Sequence, residues 1–138
     1  MHRLFLDANV LFSAAYRAGS PFVAFWKMDD VILMSSNYAV EEARNNLDSD
    51  EQRSRLKQLT QSMEIIAIYP EVQLPKNIRL PGKDEPILQA AIAAKATHLL
   101  TGDLAHFHPY YNKTVGGVLV QKPGEYLRAR SARGFRRT

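Results

Sequence analysis

Leu4-Phe5-Leu6-Asp7-Ala8-Asn9-Val10-Leu11 sets a short apolar run with no polar alternation directly against an acid and a helix start. A run of this kind, ended by a turn-forming residue, reads as a strand buried on both faces. Asp7 or Asn9 is suited to cap the helix that continues through Val10, Leu11, Ala14 and Ala15, because their short side chains accept from the unpaired N–H groups of a first turn. The arrangement recurs. Val31-Ile32-Leu33-Met34 is followed by Ser35-Ser36-Asn37 and a helix from Tyr38 to Leu47. Asp48-Ser49-Asp50 marks a break and a restart, after which Leu56, Leu59 and Met63 share one helix face. Ile65 to Ile68, His98 to Thr101 and Val118 to Val120 read as three further strands, and Asp84 to Ala96 as a helix. Strands alternating with helices predict a three-layer α/β/α domain around a central parallel sheet of about five strands.

The segments between these elements are read from local chemistry. Ser20-Pro21 has the form of an N-cap followed by proline at the first helical position, opening a helix that presents Phe22, Phe25 and Trp26. Pro70 to Pro81 is a proline-spaced loop, Gly116-Gly117 a turn before the fifth strand, and Pro123 begins a last short helix.

Four acids stand where strands give way to helix or loop. Asp7 ends the first strand, Glu42 lies in the helix after the second, Asp84 opens its helix, and Asp103 closes Leu99-Leu100-Thr101-Gly102. In an open α/β sheet the carboxyl ends of parallel strands face one crevice, where ligands bind. Like charges gathered there raise one another's pKa unless a cation lies between them. Oxygen donors of this type suit Mg²⁺ or Mn²⁺. Each acid also has a plain reading, as a cap, a turn former or a solvated helix residue; the four together favour a metal site. Asn9 and Thr101 are neutral groups able to orient a carboxylate or a phosphate oxygen, or to serve as a cap and a strand-end hydrogen bond.

Leu4 to Leu11 resembles the opening motif of the PIN-domain ribonucleases. Ser36 with Val40-Glu41-Glu42-Ala43-Arg44-Asn45-Asn46-Leu47 is similar to their second motif, and the spacing to Leu47 favours Glu42 over Glu41. Asp84-Glu85-Pro86-Ile87-Leu88-Gln89-Ala90-Ala91 is similar to the third and Leu99 to Asp103 to the fourth. The likeness runs from Arg3 to Leu127. It implies a single PIN-like nuclease domain over residues 1–127, cleavage of RNA dependent on Mg²⁺ or Mn²⁺, and Asp7, Glu42, Asp84 and Asp103 as metal ligands and catalytic groups. It also implies a toxin of VapC type restrained by a cognate antitoxin, in a family where homodimers are common. One departure stands out: family members often carry a further acid just after the fourth motif, whereas Leu104, Ala105 and His106 follow Asp103 here.

Composition bounds the rest. A chain of 138 residues, 46% apolar and 23% charged, is one globular domain. The absence of cysteine excludes disulfides and thiolate metal sites. No signal peptide and no apolar run near the roughly 20 residues of a membrane span is visible, so the expected location is cytoplasmic. The net charge of +4 belongs to residues 128–138, a basic tail with Arg128, Arg130, Arg133, Arg136 and Arg137; without those five, 13 bases face 14 acids. Such a tail either attracts phosphate backbones or is a solvated terminus. His98, His106 and His108 lack the ligand pattern of a zinc site, and Phe107, Pro109, Tyr110 and Tyr111 form an aromatic loop for packing or base stacking. Two other functions compete with the nuclease. A PIN-like RNA-binding or scaffold domain with an impaired metal site is favoured by the missing acid. A phosphatase or receiver-type protein is disfavoured, since Asp7 lacks a paired acid and no lysine follows the fourth strand in the expected way.

Overall fold

In the computed structural model, residues 1–67 and 85–137 are described. They form one six-stranded sheet in the order β3-β2-β1-β4-β6-β5. β1 spans His2–Leu6, β2 Val31–Ser36, β3 Glu64–Ile66, β4 His98–Leu100, β5 Thr114–Val115 and β6 Val118–Gln121. Five strands run parallel, as the alternation of strand and helix predicts. The sixth, β5, is antiparallel to β6 and was not expected. Only two residues long, it has too little pattern to be read from sequence. Gly116 at φ +57° and Gly117 at φ +86° form its turn, the left-handed pair that a two-residue hairpin demands.

β1 is central, with β2 on one side and β4 on the other. Leu4, Phe5 and Leu6 are fully buried, as strands covered on both faces should be. α1 (Ala8–Tyr16), α2 (Asn37–Asn46), α3 (Asp50–Thr60), α4 (Glu85–Ala93), α5 (Leu104–Phe107) and α6 (Pro123–Arg137) supply the covering layers. Small residues on α1 and α2, Ala14, Ala15, Ala39 and Ala43, are also buried and let the helices approach closely.

The predicted starts are realised through side-chain caps. Ser36 Oγ accepts from the Ala39 N–H at 3.0 Å, so Ser36 is the cap rather than Asn37. Ser49 and Gln52 make a reciprocal capping box on α3. Ser20 caps the segment Pro21–Lys27, which winds as a 3-10 helix rather than an α-helix. It buries Phe25 completely, while Trp26 stays half-buried and donates its Nε1–H to the Leu59 carbonyl at 2.9 Å. Those contacts place this aromatic face against the core.

α4 ends at Ala93, short of the expected Ala96, because the chain must turn into β4. Lys95 takes the left-handed conformation at φ +59°, and the N–H groups of Lys95 and Ala96 return to the carbonyls of Ile92 and Ala91, both at 3.0 Å. That is the 5→2 and 6→1 pairing of a Schellman ending. α6 is 15 residues long, longer than the short helix expected, and continues to Arg137. The proline-spaced loop Pro70–Pro81 and Asp84 lie outside the described residues. Among the described residues no helix is long and apolar enough to cross a membrane.

Gly116→Ala tests the hairpin. A Cβ there would sit 2.8 Å from Ile92 Cδ1 at a positive φ, and left-handed backbone costs a non-glycine residue about 1–2 kcal/mol. Thermal unfolding should show a loss of at least about 1 kcal/mol; an unchanged melting temperature would contradict the hairpin geometry.

Candidate active site

The register of the central strands decides which side chains meet. Leu6 of β1 pairs with Leu100 of β4, so the next residues, Asp7 and Thr101, leave the sheet side by side. The Asp7 N–H donates to the Leu100 carbonyl at 3.1 Å, and the Thr101 N–H to Gln121 at 3.1 Å. On the other side Ser35 Oγ donates to the Leu6 carbonyl at 2.7 Å, tying β2 to the same end.

Asp7 is 3% exposed. Removing a carboxylate from water costs several kcal/mol unless donors replace the lost hydration, and each hydrogen bond to a charged group returns about 1.5–3 kcal/mol. Oδ1 accepts from the Ala8 N–H at 2.7 Å, which also caps α1. Oδ2 accepts from the Thr101 hydroxyl at 2.7 Å and, more weakly, from the Asn9 amide at 3.4 Å. Asn9 also donates to Thr101 Oγ1 at 3.3 Å and accepts from the Gly102 N–H at 2.9 Å. Thr101 Oγ1 in turn accepts from the Asp103 N–H at 3.1 Å. Asp7, Asn9, Thr101, Gly102 and Asp103 are therefore one hydrogen-bonded unit linking β1 to β4.

A cavity of about 340 Å³ opens over this unit. Asp7, Glu42 and Asp103 line it together with Asn9, Asn46 and Phe12. Three of the four expected acids thus face one space; the fourth, Asp84, lies outside the described residues. Thr101 is fully buried beneath the cavity. Of the two neighbouring glutamates on α2, Glu41 is held by Arg44 at 2.7 Å, whereas Glu42 turns into the cavity without a hydrogen-bond or ion-pair partner among the described residues. Two residues that the sequence reading passed over also line the space. Asn46 follows Glu42 by four residues and Phe12 follows Ala8 by four, so helical periodicity alone would have pointed to both.

His106, which the sequence sets in no zinc pattern, lies with Nδ1 2.8 Å from Asp103 Oδ2. The contact has the character of an ion pair only while the imidazole is protonated. The His106 N–H also donates to Asp103 Oδ1 at 3.1 Å, fixing the carboxylate at the start of α5. Tyr111 donates its hydroxyl to the Thr101 carbonyl at 3.0 Å. Burial, then the charges of Asp103, Asp7 and Glu125, push that hydroxyl from the ordinary 10.0 up to about 12. Tyr111 therefore senses an anionic field made in part by the two cavity aspartates.

That field, with oxygen donors converging from two adjacent strand ends, is the environment a hard divalent cation would relieve. Among the described residues no three acids or histidines gather closely enough to hold an ion by themselves.

Comparison with known proteins was consistent with this architecture. A family model described as PIN domain matches residues 3–105. No curated protein sequence matches significantly. Among solved structures, the chain is similar to VapBC2 from Rickettsia felis bound to a DNA fragment from its promoter, with TM-score 0.64 and 16% identity over 87% of this chain and 98% of that one. It is similar to FitAcB from Neisseria gonorrhoeae, with TM-score 0.58 and 21% identity over 87% and 97% of the two chains. VapC20 of Mycobacterium tuberculosis, described as a Sarcin-Ricin loop cleaving toxin, aligns with TM-score 0.54 and 11% identity over 74% and 92%. At such identities these likenesses speak for the fold.

The field around Tyr111 has a titration consequence. Because the folded state holds the phenolic proton above the ordinary 10.0, its stabilising contribution is complete below pH 10 and is lost as pH rises through about 12. NMR titration should show the Tyr111 pKa falling in Asp103→Asn, since one source of the field is gone. An unchanged value would place the carboxylate away from the ring.

Proposed function

The chain belongs to the PIN-domain family, and from that membership we propose a divalent-metal-dependent endoribonuclease acting as the toxin of a toxin–antitoxin pair. The observation that carries the proposal is the convergence of Asp7, Glu42 and Asp103 on one cavity at the carboxyl ends of β1 and β4. Support for the toxin reading comes from the similar folds of the VapBC and FitAB proteins, and support for RNA as substrate from the described activity of VapC20.

In this reading Asp7, Asp103 and Asp84 hold Mg²⁺ or Mn²⁺, with Glu42 completing the set. The ion, when bound, polarises the scissile phosphate and makes water a competent nucleophile at neutral pH. The protein's own groups do the rest. Thr101 and Asn9 hold the Asp7 carboxylate in one orientation through their bonds to Oδ2. The backbone and ring of His106 hold Asp103. Glu42, in the cavity wall and without a pairing partner among the described residues, is positioned to accept the proton of the attacking water. The partner is a cognate antitoxin.

Two variants separate the nuclease from an RNA-binding scaffold. Asp7→Asn should lower RNA cleavage at least about 100-fold and weaken Mn²⁺ binding, whereas Thr101→Val, which removes only an orienting bond, should cost roughly 10–100-fold. Cleavage assays and isothermal titration with Mn²⁺ read the two effects. Manganese binding that survives both Asp7→Asn and Asp84→Asn, or cleavage at the wild-type rate by Asp7→Asn, would defeat the proposal. RNA binding by the wild type without any cleavage would establish the scaffold instead.

A further inference from the structure

The acid cavity does not end at Glu42. A second open groove of about 580 Å³ runs along the outer side of α2, and Glu42 and Asn46 line both spaces. Its other walls include Asn37, Tyr38 and Asn45. Tyr38, Glu42, Asn45 and Asn46 follow the i, i+4, i+7, i+8 spacing of one helix stripe. In an ordinary surface helix of this size such a stripe is charged and solvated, with the apolar stripe opposite. Here the opposite face is buried through Ala39 and Ala43, while the stripe facing the groove carries, beside Glu42, an aromatic ring and neutral amides.

The hydrogen-bonding state of these groups is informative. The hydroxyl of Tyr38 and the amides of Asn45 and Asn46 make no hydrogen bond among the described residues. The side-chain Oδ1 of Asn37 accepts from the Tyr38 N–H at 2.9 Å, and its amide N–H groups make no hydrogen bond among the described residues. Four neutral polar heads beside an aromatic edge offer both donors and acceptors, alongside the carboxylates of Glu41 and Glu42. Among the described residues a phosphate would find no cation in these walls, and Glu41 and Glu42, which line them, would repel it. An unpaired nucleobase fits: single-stranded RNA is read by stacking on aromatic rings and by hydrogen bonds to exposed base edges, and asparagine is suited to pair with a base edge through both ends of its amide.

We propose that the α2 groove seats the base of a nucleotide adjoining the scissile phosphate, with Asn45 and Tyr38 as the groups that discriminate among bases. The assignment rests on the nuclease reading and adds a specificity determinant to it. The backbone path is short: the same helix carries Glu42 into the acid cavity and Asn45 into the groove, so a base bound by Asn45 fixes which phosphate lies over Asp7 and Asp103. Sequence preference is then set next to the cut rather than at a distant surface.

The test uses RNA oligonucleotides in which single positions flanking the cleavage site are made abasic. With wild-type protein, an abasic site at one flanking position should lower kcat/KM about tenfold, the low end of what a stacked or hydrogen-bonded base contributes. The double variant Asn45→Ala with Tyr38→Phe should cut the intact RNA more slowly by a similar factor and the abasic RNA at the wild-type rate. Both changes are conservative for folding, one being exposed and the other keeping the ring, and thermal unfolding verifies this. Fluorescence anisotropy of the same oligonucleotides in EDTA supplies a readout independent of cleavage, with the same ordering of affinities expected. If no flanking abasic site changes rate or affinity, or if the double variant discriminates as the wild type does, the groove is not a base site. Failure of the nuclease reading has a different signature: no RNA is cut by the wild-type protein, while the anisotropy comparison still decides whether the groove binds a base.

Discussion

The pairing of Leu6 with Leu100 across β1 and β4 is the constraint on which the candidate site depends. Strand register moves in steps of whole residues, and a slip of one would send every side chain to the opposite face. With this register Asp7 and Thr101 leave the sheet together and their side chains meet at 2.7 Å. The same pairing brings the Gly102 and Asp103 backbone within reach of Asn9 and Thr101. The buried leucines and phenylalanine of β1 therefore act on the chemistry indirectly: their burial on both faces holds the register that aligns the acids.

Asp7 serves two purposes that pull in one direction. Its Oδ1 satisfies an N–H at the start of α1, and its Oδ2 is held by Thr101 and Asn9. A helix start favours negative charge through the local dipole, so the cap and the carboxylate suit one another at the start of α1. The cost of holding a carboxylate at 3% exposure falls on the fold, and the Ala8 N–H, the Thr101 hydroxyl and the Asn9 amide offset part of it.

At Asp103 a different solution operates. In place of the further acid that often follows this motif in the resembling family, the chain supplies His106 at 2.8 Å, and Tyr111 closes the site from the neighbouring loop through Thr101. An acid at that place would add to the field that, after burial, pushes the Tyr111 hydroxyl up to about 12; an imidazole does not. The site is thus less negative than four or five clustered carboxylates would make it.

Local chemistry in the sequence was enough to determine the alternation of strands and helices, the parallel core of the sheet, the cap at Ser36, the restart at Ser49 and the turn at Gly116-Gly117. Each depends on residues within one or two turns of one another, where backbone sterics and side-chain capping act alone. The tertiary structure decided what depends on distant partners. The edge strand Thr114–Val115 exists only because β6 is there to pair with it. The spacing to Leu47 favours Glu42 over Glu41, but the cavity it enters depends on the rotation of α2 about its axis, which burial of Ala39 and Ala43 against the core sets. His106 and Tyr111 became part of the site only when α5 and the following loop packed across the end of β4. Periodicity specifies which side of a helix is apolar; only packing against the rest of the chain specifies what the polar side confronts.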